Sequence, residues 1–195
     1  MTRSRQTADW GSRAGLAKIV PSSVAVGSGT GSANTFGTVT FTTVSSVSLN
    51  DVFSSTYDNY KIVCNVKGST NLAVQFRYRV SNADNTSSLY SFGRISVDNS
   101  GTSDNTGASV QTSFTNICNT STEFYGSFDL SVYAPFKTER TTFNGSGSGL
   151  RTNYTAGAQY LIGSLYESST SFTGFTLIAS TGTITGTVSV LGYNN

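Results

Sequence analysis

Residues 72 to 80 read LAVQFRYRV. Leu72, Val74, Phe76, Tyr78 and Val80 occupy alternate positions, with Ala73, Gln75, Arg77 and Arg79 between them. A period of two belongs to an extended strand with one face on a core, because successive Cβ atoms point to opposite sides of the pleat. Helical spacing would set the arginines beside the aromatic rings. The stretch is therefore a half-buried strand, and it sets the class of what surrounds it.

The same period recurs on both sides. Tyr60, Ile62, Cys64 and Val66 alternate with Lys61, Val63, Asn65 and Lys67. From Phe124 to Ala134, Phe124, Phe128, Leu130 and Val132 share the inward face, and Tyr125, Asp129 and Tyr133 look away. Ala158 to Tyr166, Thr173 to Ser180 and Thr183 to Tyr193 are three closing strands separated by Ser, Thr and Gly turns. Val39 to Thr43 and Val47 to Leu49 supply early strands; Leu89 to Val97 and Ala108 to Cys118 supply two more, joined by the polar loop Asp98 to Gly107. Strands in this number, about eight to ten, predict an all-β fold, an antiparallel jelly-roll-like sandwich over residues 32 to 195. The helix-like pieces are Thr7 to Val20, weakened by Gly11 and Gly15, and a short turn at Asn50 to Ser54.

A chain of 195 residues suits one domain with a tail. Only 11% of residues are charged, but twelve Phe and ten Tyr argue for a packed core rather than disorder. Residues 21 to 35, PSSVAVGSGTGSANT, read as a link, so residues 1 to 31 are taken as an N-terminal arm and linker. The first twenty residues carry Arg3, Arg5, Arg13 and Lys18 against Asp9, whereas the rest hold eight bases and nine acids. The formal charge of +2 is thus made by the arm. Near the start, the longest apolar run is Leu16 to Val20, broken by Lys18, which is short of an export signal. No run approaches the roughly 20 residues of a membrane helix. The expectation is a soluble protein made in a cytoplasm, with no membrane partner. Cys64 and Cys118 form neither a disulfide framework nor a metal spacing and read as small core residues.

The chain has no histidine, which removes Ser-His-Asp and Cys-His sites and His-based zinc sites. Glycoside hydrolysis would need two carboxylates facing across a sugar, and Asp129 with Glu139 or Glu167 can be drawn that way. With ten acids some pair always fits, so no catalytic residue is assigned and no enzyme is expected. Asp98 to Asp104 offers oxygen ligands but no acidic cluster at calcium spacing, so it reads as a loop bonded to its own backbone. GSGSG at Gly145 to Gly149 has no lysine and reads as a flexible hairpin tip. The glycosylation patterns at Asn85, Asn119, Asn144 and Asn153 are discounted as products of an Asn-, Ser- and Thr-rich chain. No metal or cofactor is implied.

Three groups remain as binding candidates. Arg77 and Arg79 stand on the polar face of their strand, either solvated or in a subunit contact. Tyr57, Tyr125 and Tyr133 fall outside the inward pattern and would serve a subunit interface or a sugar-binding face. In the arm, Arg3, Arg5, Ala8, Asp9, Arg13 and Lys18 accompany the apolar anchors Trp10, Leu16, Ile19 and Val20. Four bases and one stacking ring are thin for nucleic acid. A docking peptide, with arginines as charge-assisted donors, explains more of these residues.

Two stretches resemble a module of tailed-bacteriophage structural proteins. They are SSVSLNDVFSSTYDNY at 45 to 60, followed by KIVCNVK, and SFTGFTLIASTGTITGTVSVLGY at 171 to 193. The opening TRSRQTAD is similar to short N-terminal anchors, of the Thr-Arg-x-Arg-x-x-Ala-Asp kind, on phage tail-fibre proteins. The resemblance covers about 50 of 195 residues and leaves Asn82 to Gln159 unplaced. It implies a β-rich, often trimeric virion protein held by its N-terminal segment, with Arg3, Arg5, Ala8 and Asp9 at the anchor positions and no catalytic residue carried over. The expectation is a non-enzymatic capsid decoration or cement protein whose partners are major capsid or tail proteins. The alternative is a short tail fibre or adaptor whose body meets a host-surface glycan.

Overall fold

The computed structural model describes residues 15 to 151 and 156 to 194. These form sixteen strands: β1 Ala17–Ile19, β2 Ser23–Val26, β3 Thr30–Ala33, β4 Thr38–Val44, β5 Ser46–Asn50, β6 Asn59–Gly68, β7 Leu72–Val80, β8 Ala83–Asp84, β9 Tyr90–Asp98, β10 Ser103–Gln111, β11 Phe114–Thr120, β12 Tyr125–Tyr133, β13 Arg140–Leu150, β14 Gly157–Ser169, β15 Gly174–Ala179 and β16 Ile184–Tyr193. Among the described residues there is no helix. The large sheet runs β10-β9-β14-β13-β12-β6-β16-β4-β3, with β1 also paired to β16. The small sheet runs β11-β7-β15-β5-β2, with β8 also paired to β7. Every pairing is antiparallel. The two sheets hold ten and six strands, so the antiparallel sandwich has more than the eight strands of a jelly roll.

Alternation decides which side of each strand meets the other sheet. Leu72, Val74, Phe76 and Tyr78 of β7 and Tyr60, Ile62, Cys64 and Val66 of β6 are all buried in one core. Aromatic rings interlock at its centre. Tyr78 stacks on Phe172 with centroids 4.3 Å apart, Phe76 stacks on Phe175 at 5.0 Å, and Phe114 meets Tyr90 edge to face at 4.8 Å. The Tyr60 and Tyr90 hydroxyls find polar partners, whereas that of Tyr78 is buried without one among the described residues. Tyr60 Oη donates to the Ser54 carbonyl at 2.9 Å, and Tyr90 Oη donates to that of Asn85 at 2.8 Å. Cys64 and Cys118 are free and buried in this core. Burial pushes the Cys118 thiol up to about 12 and that of Cys64 well above its ordinary value.

Four expectations are corrected. The expected linker is built into the sandwich: β1 joins the large sheet, β2 the small and β3 the large. The boundary drawn at residue 31 therefore falls inside the body. Val24 and Val26 pack against the core, and a Cβ on Gly31 would stand 2.7 Å from Val26 Cγ1, so glycine lets the chain cross between sheets. The turn at Asn50 to Ser54 is not helical: Asn50 ends β5 and Asp51 takes φ 53°. Gly145 to Gly149 is no hairpin tip but the interior of β13, where Cβ atoms on Gly145 and Gly147 would collide with the Asp129 and Ser127 carbonyls of β12. Phe124 precedes β12 and is exposed, because the inward phase begins with the strand.

Candidate functional site

The arm candidates divide at the edge of the described residues. Arg3, Arg5, Ala8, Asp9, Trp10 and Arg13 lie outside them. Ile19 pairs with Val190 and packs on the core, whereas Lys18 pairs with Leu191 and its Nζ donates to Thr38 Oγ1 at 2.6 Å. Leu16 and Val20 are 54% and 51% exposed, and Phe36, on the loop before β4, is 75% exposed. That loop touches β1 closely, since a Cβ on Gly37 would collide with the Ile19 carbonyl. The root of the arm is thus a fixed strand with apolar side chains around it. Phe36 escaped the sequence reading because it stands alone in a polar link.

Arg79 does not sit on a solvated face. It is 9% exposed and holds Asp84 through an ion pair, while Nε donates to Asn50 Oδ1 at 2.9 Å and Nη1 to Ser48 Oγ and Thr176 Oγ1 at 3.0 Å. Arg77 donates from Nε to the Thr112 carbonyl at 2.9 Å and lies 3.5 Å from Asp84. Both side chains are used inside the chain, which leaves little for a subunit contact.

The carboxylates drawn as a hydrolytic pair are not assembled. Asp129 pairs across to Ser146, and Ser146 to Leu161. Glu167 lies six residues beyond Leu161, and Glu139 seven before Ser146, so each stands about 20 Å or more along its strand. Carboxylates that cleave glycosides stand at most about 9.5 Å apart. Lys61 Nζ lies 2.7 Å from Asp129 Oδ2, and Ser146 Oγ donates to Oδ1 at 2.8 Å. The lysine holds this carboxyl below its usual range, as an ionised acceptor.

The loop after β9 closes on itself. Asp98 Oδ1 accepts the Ser100 hydroxyl at 2.7 Å and the backbone N–H groups of Ser100 and Thr102 at 2.9 and 2.8 Å. Arg151 forks onto Asp104 at 2.7 and 2.9 Å and reaches Asp98 Oδ2 at 3.2 Å. The Ser100 hydroxyl holds the Asp98 carboxyl down, and Arg151 does the same for Asp104. Among the described residues no group of three or more His, Cys, Asp or Glu could hold a metal ion.

Tyr57, Tyr125 and Tyr133 do not converge. Tyr125 and Tyr133 end the same strand, about 26 Å apart at eight residues. Lys67 Nζ lies 5.4 Å from the Tyr125 ring centroid, and Tyr57 packs edge to face on Tyr60. Tyr133 Oη donates to Asn144 Oδ1 at 3.4 Å.

Tyr133 and Asn144 stand instead at the end of a feature that periodicity did not reveal. A groove of about 950 Å³ crosses the outer face of the large sheet over β10, β9, β14, β13 and β12. Gly107, Gly93 and Gly163 are cross-strand partners along its floor. Leu161 and Ile95, also directly paired, rise beside them at 65% and 52% exposure. Asp129, Ser131, Asn144 and Ser146 form the opposite, polar side. The available signal is a single glycine inside the patterns Leu89 to Val97 and Ala158 to Tyr166, which marks a bulge or a close approach; Gly107 gives none, because the second half of the expected loop Asp98 to Gly107 is in fact the start of β10. Compared with protein families, with curated proteins and with solved structures, the chain has no match.

Proposed function

We propose that this chain is a non-enzymatic structural protein of a tailed-phage particle, a capsid decoration or cement protein that docks through its N-terminal segment and holds its sandwich outward as a trimer. The observation that carries the reading is the root of that segment. Its strands enter the large, the small and again the large sheet, so a load on residues 1 to 14 is shared by both layers. Leu16, Val20 and Phe36 are exposed apolar groups at the same place, suited to continue a contact begun by the anchor residues. A segment whose contacts form only on an assembled shell adds free energy to the shell and none to free subunits.

Removing residues 1 to 14 should leave a folded sandwich that no longer attaches to particles. Retained attachment refutes the docking role. Longer truncations are unsuitable, because they take β1 and then β2 out of the sheets. The groove favours one second reading, a short tail fibre or adaptor whose body meets a host glycan. Copy number on purified particles separates the two: hundreds per virion fit decoration, and about a dozen fit a fibre. Sedimentation of the full chain as a monomer at micromolar concentration counts against the trimer.

A further inference from the structure

We propose that the groove across the outer face of the large sheet binds a short neutral oligosaccharide. The inference stands whether the protein sits on a head or a tail. Its volume, about 950 Å³, falls within the range of ligand sites, and five strands at about 4.8 Å spacing give it a length of about 20 Å. That suits a chain of rings laid across the strands rather than one small molecule.

The chemistry of the two sides selects the ligand. Leu161 and Ile95 form an exposed apolar shelf suited to the C–H face of a sugar ring. Opposite stand hydroxyl, amide and carboxylate groups at Ser131, Ser146, Asn144 and Asp129, which accept from and donate to ring hydroxyls. At that end the Tyr133 hydroxyl donates to Asn144 Oδ1 at 3.4 Å. Asp129 is the one charged group on the outward lining, and Lys61 neutralises it at 2.7 Å. Arg94, which also borders the groove, turns inward over the Tyr160 ring and donates to the Asn116 carbonyl at 3.0 Å. A phosphate or an acidic sugar would find no cation directed at it, and a cation no acidic cluster. A hydroxyl-rich, uncharged ligand matches this balance.

The floor is consistent with occupancy. A Cβ on Gly93 or Gly163 would meet nothing within 4 Å, and neither residue has a positive φ. Packing within the chain does not require glycine at either position, and glycine weakens a strand interior. What a side chain there would obstruct is the groove.

The test uses the full chain on a panel of short neutral hexose and N-acetylhexosamine oligosaccharides together with sialylated and sulfated ones, followed by calorimetry on the best neutral binder. Native protein should bind neutral members. Gly163→Val should weaken binding at least about tenfold while the thermal midpoint holds or rises, and Asn144→Ala should weaken it too. Tyr125→Ala, at the far end of β12, should leave affinity unchanged. The proposal is overturned by absence of neutral-glycan binding, by preference for acidic glycans, or by affinity that survives Gly163→Val. It is equally overturned if Gly163→Val dissolves an oligomer of the native chain, since the groove would then be occupied by a second copy.

Discussion

The outer faces of the two sheets carry the same kinds of residue and use them differently. On the small sheet, Arg79 gathers Asp84, Asn50, Ser48 and Thr176 from three other strands into one closed network, and Arg77 adds to it. On the large sheet, one cross-strand row runs from the apolar pair Ile95 and Leu161 to Ser146 and Asp129, and the row beside it runs from Gly107, Gly93 and Gly163 to Asn144 and Ser131. A face that saturates its own donors and acceptors contributes to holding strands in register. A face that exposes an apolar pair beside a row of bare glycines is arranged for something else, which is why the binding proposal falls on the large sheet.

The contrast can be broken most forcefully at Arg79. Arg79→Ala leaves the buried polar groups of Ser48, Asn50 and Thr176 without their shared donor and Asp84 with Arg77 alone, and should lower stability by about 1–3 kcal/mol, read as a shift of the denaturant midpoint at unchanged slope. A loss below about 1 kcal/mol would mean that the small sheet's outer face is no more structural than the large one's.

A smaller effect is expected where the large sheet does close on itself, at Arg151. Asp98 and Asp104 are held below the ordinary carboxylate range, so the unfolded chain binds more protons than the folded one. Their contribution is complete above about pH 4 and is lost as pH falls through the lowered values. Arg151→Gln should therefore lower stability at neutrality, where that contribution is complete, and raise the pH of acid unfolding, as denaturant titration at about pH 7 and circular dichroism along a pH series would reveal. An unchanged acid midpoint would remove the cluster from the account.

The smallest effect has the opposite sign. Gly93→Ala and Gly163→Ala should each stabilise the fold by about 0.5–1 kcal/mol, because the added methyl meets nothing and the unfolded chain loses freedom. Destabilisation would show that glycine at these positions serves the fold and would weaken the case for a ligand.

Strands that bury one face throughout were legible from alternation alone. β6 follows it from Tyr60 to Val66 and β7 from Val74 to Tyr78, and Cys64 is in the core for that reason. What escaped depends on contacts distant in sequence. Ser23 to Val26 is too short and too rich in small residues to signal a strand, and it becomes one only because Asn50 to Val47 lies beside it. Arg79 reads as solvated until Asp84, Asn50 and Thr176 close around it. GSGSG reads as flexible because the carbonyls that exclude side chains there belong to β12. The groove needed the register of three strands, which no local pattern contains. Of the arm candidates, Lys18 and Ile19 can be placed on opposite faces of β1, while those before Gly15 lie outside the described residues.

The pairing of Ala17 with Gly192 sets the two ends of the sandwich next to each other. Bulk added after Tyr193 would therefore crowd β1, where the N-terminal segment enters the sandwich. The turn Asn99 to Thr102 joins β9 to β10 at the opposite end of the large sheet, because Asp98 and Ala158 pair at one extreme and Tyr193 and Asn59 at the other. Display of a foreign peptide is best placed in that turn, at the end of the sheet away from β1.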